Sequence, residues 1–155
     1  MPSQRAVHVG VRVRPAPPGK QAHWRVDGNS ITEIGHKPRS KSSSASLSTS
    51  SFAFEHVFDE TSSNVQIFDA MCLDMLEEAT LQGYNATCFA YGQTASGKTH
   101  TMMGPRDEPG TILSALDMIF RQQAASSTHE FLVRVSYMEI YKEVLSDLLA
   151  DHRGE

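Results

Sequence analysis

The chain has 155 residues, a length that suits one domain with a sizeable core. Its 14 Lys+Arg against 18 Asp+Glu leave a net charge of −4, which argues against a nucleic-acid binder, a class marked by a basic surplus. No apolar run approaches the roughly 18 residues of a membrane span. The start Met1-Pro2-Ser3-Gln4-Arg5 has no secretory apolar core, so a cytosolic protein without membrane contact is expected.

Residues 1–5 are expected to be disordered. Val7, Val9, Val11 and Val13 then alternate with His8, Gly10, Arg12 and Arg14, the period of a strand that Pro15 and Pro17-Pro18-Gly19 end. Taken alone, Arg12 and Arg14 read as the solvated face of an edge strand. Trp24-Arg25-Val26 and Ser30-Ile31-Thr32 form a hairpin signal around Asp27-Gly28-Asn29. Residues 37–51 are serine-dominated and cannot bury enough apolar surface to order themselves, so they read as a mobile surface loop.

Phe52, Phe54, His56 and Phe58 alternate with Ala53, Glu55 and Val57 and predict a second strand. His56 reads as a packed sheet histidine, since the 7 histidines show no zinc spacing. Ser63 and Gln66 fit a capping box that opens a helix. Val65, Phe68, Cys72, Met75 or Leu76, and Ala79 continue it at helical spacing, and Gly83 stops it. Cys72 and Cys88 both fall within apolar patterns and read as buried free thiols; a disulfide is the less favoured alternative.

Ala86 to Tyr91 is short and mostly apolar, as a buried strand would be. It leads into Gly92-Gln93-Thr94-Ala95-Ser96-Gly97-Lys98-Thr99, which fits G-x-x-x-x-G-K-[ST], the phosphate-binding loop of nucleoside triphosphatases. Glycines let such a loop wrap tightly and turn its N–H groups towards phosphates. Lys98 places a charge near the outer phosphates, and the Thr99 hydroxyl suits magnesium. A helix beginning near Gly97 would aim its positive dipole end at the same anion. A second helix is expected from about Thr111, with Ile112, Leu116, Ile119 and Phe120 on one face. Phe131 to Tyr141 is nearly all β-favouring and predicts a central strand, followed by a short helix carrying Val144, Leu145, Leu148 and Leu149.

Four stretches together resemble the kinesin motor-domain family: Val11-Arg12-Val13-Arg14-Pro15; Phe54-Glu55-His56-Val57-Phe58-Asp59; Gly83-Tyr84-Asn85 with Phe89 to Met102; and Phe131 to Leu149, centred on Ser136-Tyr137-Met138-Glu139-Ile140-Tyr141. Trp24-Arg25-Val26 and Thr94-Ala95-Ser96 look most like the centromere-associated subfamily. The resemblance implies an α/β phosphate-loop fold with a central mixed β-sheet flanked by helices, present as its N-terminal half. Residues 6–150 would be a partial motor domain and 151–155 a truncated end.

The resemblance further implies ATP and Mg2+ as cofactors. Arg12, Arg14 and Pro15 would pack around the adenine, with His100 on its other side. Gly92, Gln93, Thr94, Ala95, Ser96, Gly97, Lys98 and Thr99 would cradle the triphosphate, with Lys98 as the catalytic residue and Thr99 on the metal. The partner would be the microtubule, through the missing C-terminal half, in the cytoplasm and cytoskeleton, the spindle included. The strings N-x-x-S-S-R-S-H and D-L-A-G-S-E, which form the family's switches, do not occur in these 155 residues. The expectation is therefore the ATP-binding portion of a microtubule motor that is inactive alone. The alternatives are a non-motor, kinesin-derived interaction module and an unrelated phosphate-loop ATPase or kinase.

Overall fold

The computed structural model describes residues 7–34, 50–128 and 130–150. The expectations for residues 1–5, for most of the serine tract and for 151–155 lie outside them. The chain divides into two compact units, Met1–Phe120 and Arg121–Glu155.

In the first unit the valine run forms a short strand, β1 (Gly10–Arg12), rather than the full Val7–Val13 stretch. It pairs in parallel with β5 (His56–Phe58), in the register Gly10 with His56 and Arg12 with Phe58. Val7 and Val9 stay exposed, because the β5 ladder offers no partner beyond His56. Val13 N–H extends the pairing by donating to the Phe58 carbonyl at 2.8 Å.

The predicted hairpin is present as β2 (Trp24–Asp27) and β3 (Ser30–Glu33), turning through Gly28 at φ +55°. β4 (Ser51–Ala53) adds antiparallel to β3, so Ser51, assigned from composition to the loop, is a strand residue. Trp24 and Phe52 pack with tilted rings 6.4 Å apart.

The single strand expected over Phe52 to Phe58 is in fact two. Its first half pairs with β3 and its second with β1, and Phe54 and Glu55 form the break. Asn29 holds that break: its Nδ2 donates to the Glu55 carbonyl at 2.7 Å, and its own carbonyl accepts from Phe54 N–H at 2.9 Å. His56 sits in the sheet as expected, stacked on Phe58 with ring centres 6.0 Å apart.

The capping box is made as predicted. Ser63 Oγ accepts from Gln66 N–H, and Gln66 Oε1 accepts from Ser63 N–H at 2.8 Å. The helix it opens is divided at Cys72 into α1 (Asn64–Met71) and α2 (Leu73–Gln82), and Gly83 ends it in the left-handed region at φ 75°. Ile67, Phe68 and Cys72 are the buried apolar face of this segment. Gly10 allows β1 to approach α1, since a Cβ there would meet Met71 Sδ at 2.8 Å.

Ala86 to Tyr91 does not form the buried strand predicted. It joins no ladder, and Phe89 and Tyr91 are largely exposed. An apolar run becomes a buried strand only when neighbours bond both of its edges, and no described strand pairs with it. Two further helices follow, α3 (Lys98–Met102) and α4 (Thr111–Ala125). α4 runs through the polar Gln122 and Gln123 to Ala125.

In the second unit, the central strand expected over Phe131 to Tyr141 is reduced to β6 (Met138–Tyr141). The short helix predicted after it is a strand, β7 (Val144–Asp147), antiparallel to β6. Lys142 and Glu143 form the two-residue turn with φ of 50° and 65°, which folds the chain back before a helical turn can close. Two positive φ values in succession characterise the type I′ hairpin turn. Among the described residues the strands thus form three separate sheets of two, three and two strands.

Candidate functional site

The phosphate-loop sequence forms the connection into α3. Gly97 stands immediately before that helix at φ 110°, a conformation disfavoured for any residue with a Cβ. Ala95 also has positive φ, 61°. Gly92 lies tightly against the other side of the loop, where a Cβ would come within 2.6 Å of Ser96 Oγ. The Lys98 ammonium curls back over the loop and donates to the carbonyls of Gly92 and Gln93, each at 2.8 Å.

A cleft of about 1190 Å³ opens beside this loop. Of the residues singled out from sequence, Arg12, Arg14, Pro15, Ala95, Ser96, Gly97, Lys98, Thr99 and His100 line it, while Gly92, Gln93 and Thr94 do not. β1 brings the arginines to the cleft, and the first turn of α3 brings Lys98, Thr99 and His100. Residues about 80 positions apart therefore meet at one wall: Arg14 Nη1 donates to the Ala95 carbonyl, spanning from the strand exit to the phosphate loop.

Arg12 is held more firmly than its place in an alternating strand suggests. Its Nη1 donates to Asn64 Oδ1 at 2.6 Å and Thr101 Oγ1 at 2.9 Å, and its Nη2 to the Ser62 carbonyl at 2.9 Å. Nη1 also lies 3.4 Å from His100 Nδ1, which accepts when that nitrogen is unprotonated. These in-plane bonds direct the guanidinium edge into protein, so a planar ligand would meet Arg12 through its face. Burial draws the Arg12 pKa down, and the Glu108 carboxylate partly restores it.

Three participants escaped the sequence reading. Asn64, only 1% exposed, is bonded by the Arg12 guanidinium, the His100 carbonyl, and both the carboxylate and the backbone carbonyl of Glu108. Glu108 sits in a turn that read only as charged surface, yet its carboxylate accepts from Asn64 N–H at 2.7 Å. Thr101 supplies the hydroxyl under Arg12. The one local signal was the Ser63–Gln66 capping box, which places Asn64 at the first position of a helix but says nothing of what crosses above it.

Cys72 and Cys88 are both free, with Sγ atoms 3.7 Å apart. Cys72 is buried as expected, but Cys88 is exposed, because Ala86 to Tyr91 is not covered by neighbouring strands. Either sulfur can donate in this contact; donation from Cys72 favours the Cys88 thiolate, which lowers the Cys88 pKa to about 7 and raises that of Cys72.

A metal at this site would rely on few protein groups. The Thr99 hydroxyl lines the cleft, and the described residues contain no group of three or more His, Cys, Asp or Glu able to hold an ion. That donor set suits Mg2+, which keeps several waters and is commonly shared between one or two protein oxygens and substrate phosphates. Among the described residues no helix is long and apolar enough to cross a membrane.

The family model described as kinesin motor domain matches residues 12–155. Kinesin-like protein KIN-7N of Arabidopsis thaliana is 45% identical over 143 residues, which are 92% of this chain and 16% of that protein. Centromere-associated protein E of Homo sapiens is 39% identical over 156 residues, covering 96% of this chain and 5% of that protein. A solved structure titled "Structure of a fast kinesin: Implications for ATPase mechanism and interactions with microtubules" superposes with a TM-score of 0.78 at 35% identity, covering 93% of this chain and 41% of that one. The chain thus spans a minor part of the length of these relatives.

Proposed function

The chain belongs to the kinesin motor-domain family, and on that premise we propose that its cleft is the ATP site of a microtubule motor. The observation that carries this reading is the convergence of Arg12, Arg14, Pro15 and His100 with Lys98 and Thr99 on one cleft. A purine would lie at the arginine and histidine end. The triphosphate would follow the part of the loop that lines the cleft, Ala95 to Thr99, where the backbone and the start of α3 favour negative charge.

Lys98 would exchange its two carbonyl partners for phosphate oxygens. Both arrangements are charge-assisted, so the exchange costs little while it adds attraction between opposite charges. Thr99 would offer its hydroxyl to Mg2+, whose role is to neutralise charge developing on the phosphates. Base discrimination should be modest, since stacking reads a purine's face and not its hydrogen-bonding edge.

The parent activity on this reading is microtubule-stimulated ATP hydrolysis in the cytoplasm, on the cytoskeleton and the spindle. The groups that order around the γ-phosphate and relay its loss to the track would come from motifs outside these 155 residues. The polypeptide by itself should bind ATP weakly and turn it over negligibly. Steady-state phosphate release with and without microtubules tests this directly: stimulated turnover by this chain alone would overturn the division of labour. Failure of Lys98→Ala to weaken ATP binding would overturn the site.

A further inference from the structure

Asn64 is more completely enclosed than any other polar residue described, at 1% exposure. Its side chain bridges three segments distant in sequence. Oδ1 accepts from Arg12 of β1 at 2.6 Å, and Nδ2 donates to the His100 carbonyl of α3 at 3.0 Å and to the Glu108 carbonyl at 3.1 Å. Its backbone N–H, the first of α1, donates to the Glu108 carboxylate at 2.7 Å. A buried amide with one acceptor and two donors all engaged is fully satisfied in one orientation only.

From this geometry we infer that Asn64 is the positioning residue of the base-binding end of the cleft, holding Arg12 against the helix that follows the phosphate loop. The inference rests on the adenine-nucleotide reading of that cleft. Arg12 and His100 arrive from different elements, β1 and α3, and Asn64 bonds both, the first by its guanidinium and the second by its backbone. Thr101 and Ser62 hold the remaining Arg12 contacts. Without Asn64 the partly desolvated guanidinium loses its shortest bond and has the nearby Glu108 carboxylate as an alternative partner. It would then no longer be held beside His100, where Nη1 now lies 3.4 Å from Nδ1. The phosphate loop is unaffected, because Lys98 and Arg14 bond to its carbonyls independently of Asn64.

The role separates two ligands. Binding of ATP and of inorganic tripolyphosphate to the 155-residue chain is measured by titration calorimetry for wild type, Asn64→Ala, Arg12→Ala and the double variant. Asn64→Ala should weaken ATP about tenfold, the loss expected for one charged hydrogen bond, and leave tripolyphosphate unchanged. In the Arg12→Ala background the same change should cost ATP binding nothing further, since a residue acting through another gives a non-additive cycle.

Equal weakening of both ligands, additive losses, or unchanged ATP affinity would each overturn the inference while leaving the nucleotide site standing. A wild-type chain that prefers ATP no more than tripolyphosphate would overturn the base-binding reading and this role with it. Should Asn64→Ala fail to fold, Asn64→Gln keeps both the acceptor for Arg12 and the donors for the His100 and Glu108 carbonyls and should hold ATP affinity within about twofold of wild type, a difference under half a kcal/mol. A tenfold loss there would refute the role.

Discussion

Lys98 Nζ lies 2.8 Å from the carbonyl of Gly92, so the seventh residue of the phosphate loop closes back on the first. The same ammonium bonds Gln93 at 2.8 Å. Lys98→Ala removes both bonds together with the charge offered to phosphate. Hydrogen bonds to charged groups are worth about 1.5–3 kcal/mol, so ATP affinity should fall about tenfold or more. Titration with a fluorescent ATP analogue measures this, and an unchanged Kd would remove Lys98 from the site.

The thiol pair predicts selective chemistry. The thiolate is the reactive form, and Cys88 is the exposed member, with its pKa lowered to about 7 by the bond from Cys72. Alkylation by iodoacetamide should therefore occur at Cys88 first, with a rate that rises with pH through a midpoint near 7. Cys72→Ala removes the donor that favours the thiolate, so the midpoint should move up towards the ordinary value of about 8.5. Peptide mapping after brief labelling reads both results; preferential labelling of Cys72 would contradict the geometry.

Asp59 predicts a contribution to stability lost in acid. Its Oδ1 accepts from Thr61 N–H and Thr61 Oγ at 2.8 Å each and from Ser62 Oγ at 3.1 Å, and these bonds hold its pKa below the ordinary carboxylate value. A carboxylate with a depressed folded-state pKa contributes above its unfolded value and loses that contribution as pH falls through the folded one. The stability difference between wild type and Asp59→Ala should be present at pH 7 and shrink below the ordinary carboxylate pKa. Urea titrations at a series of pH values would show it; a difference independent of pH would exclude the charge as its source.

Gly10 predicts a packing limit. A Cβ there meets Met71 Sδ at 2.8 Å and Phe58 Cε2 at 3.2 Å. The Met71 end is flexible, so Gly10→Ala should be tolerated, whereas Gly10→Val should cost about 1–3 kcal/mol through overpacking. Denaturant midpoints of the two variants test the contrast.

The β6–β7 turn offers a gain. Lys142 and Glu143 both occupy left-handed backbone, which costs an L-residue roughly 1–2 kcal/mol. Replacing them by Asn-Gly, the pair preferred in type I′ turns, should stabilise the hairpin by about 1 kcal/mol or more. Slower amide exchange at Tyr141 and Val144 would report it.

Local features were legible in the sequence, and pairing was not. The Ser63–Gln66 box and the Gly83 stop involve neighbours within one helical turn, and both formed. The phosphate loop was readable because its conformation depends on glycines at set spacing. The run Phe52 to Phe58 shows one period but serves two ladders, because alternation records which face a residue takes and not which strand lies beside it. Val144, Leu145, Leu148 and Leu149 have helical spacing, yet the turn at Lys142 and Glu143 commits the segment to pair with β6.

The same division runs through the candidate site. Residue order alone determined the Gly92–Thr99 loop and, with its neighbouring motifs, the kinesin family, since these depend on identities at fixed intervals. Only the tertiary structure decided what surrounds them. Asn64 and Glu108 have no pattern of their own, and they matter because folding brings β1, α1, α3 and the turn before α4 to one point. There a desolvated guanidinium must be hydrogen-bonded, and the buried amide of Asn64 is the group placed to do it.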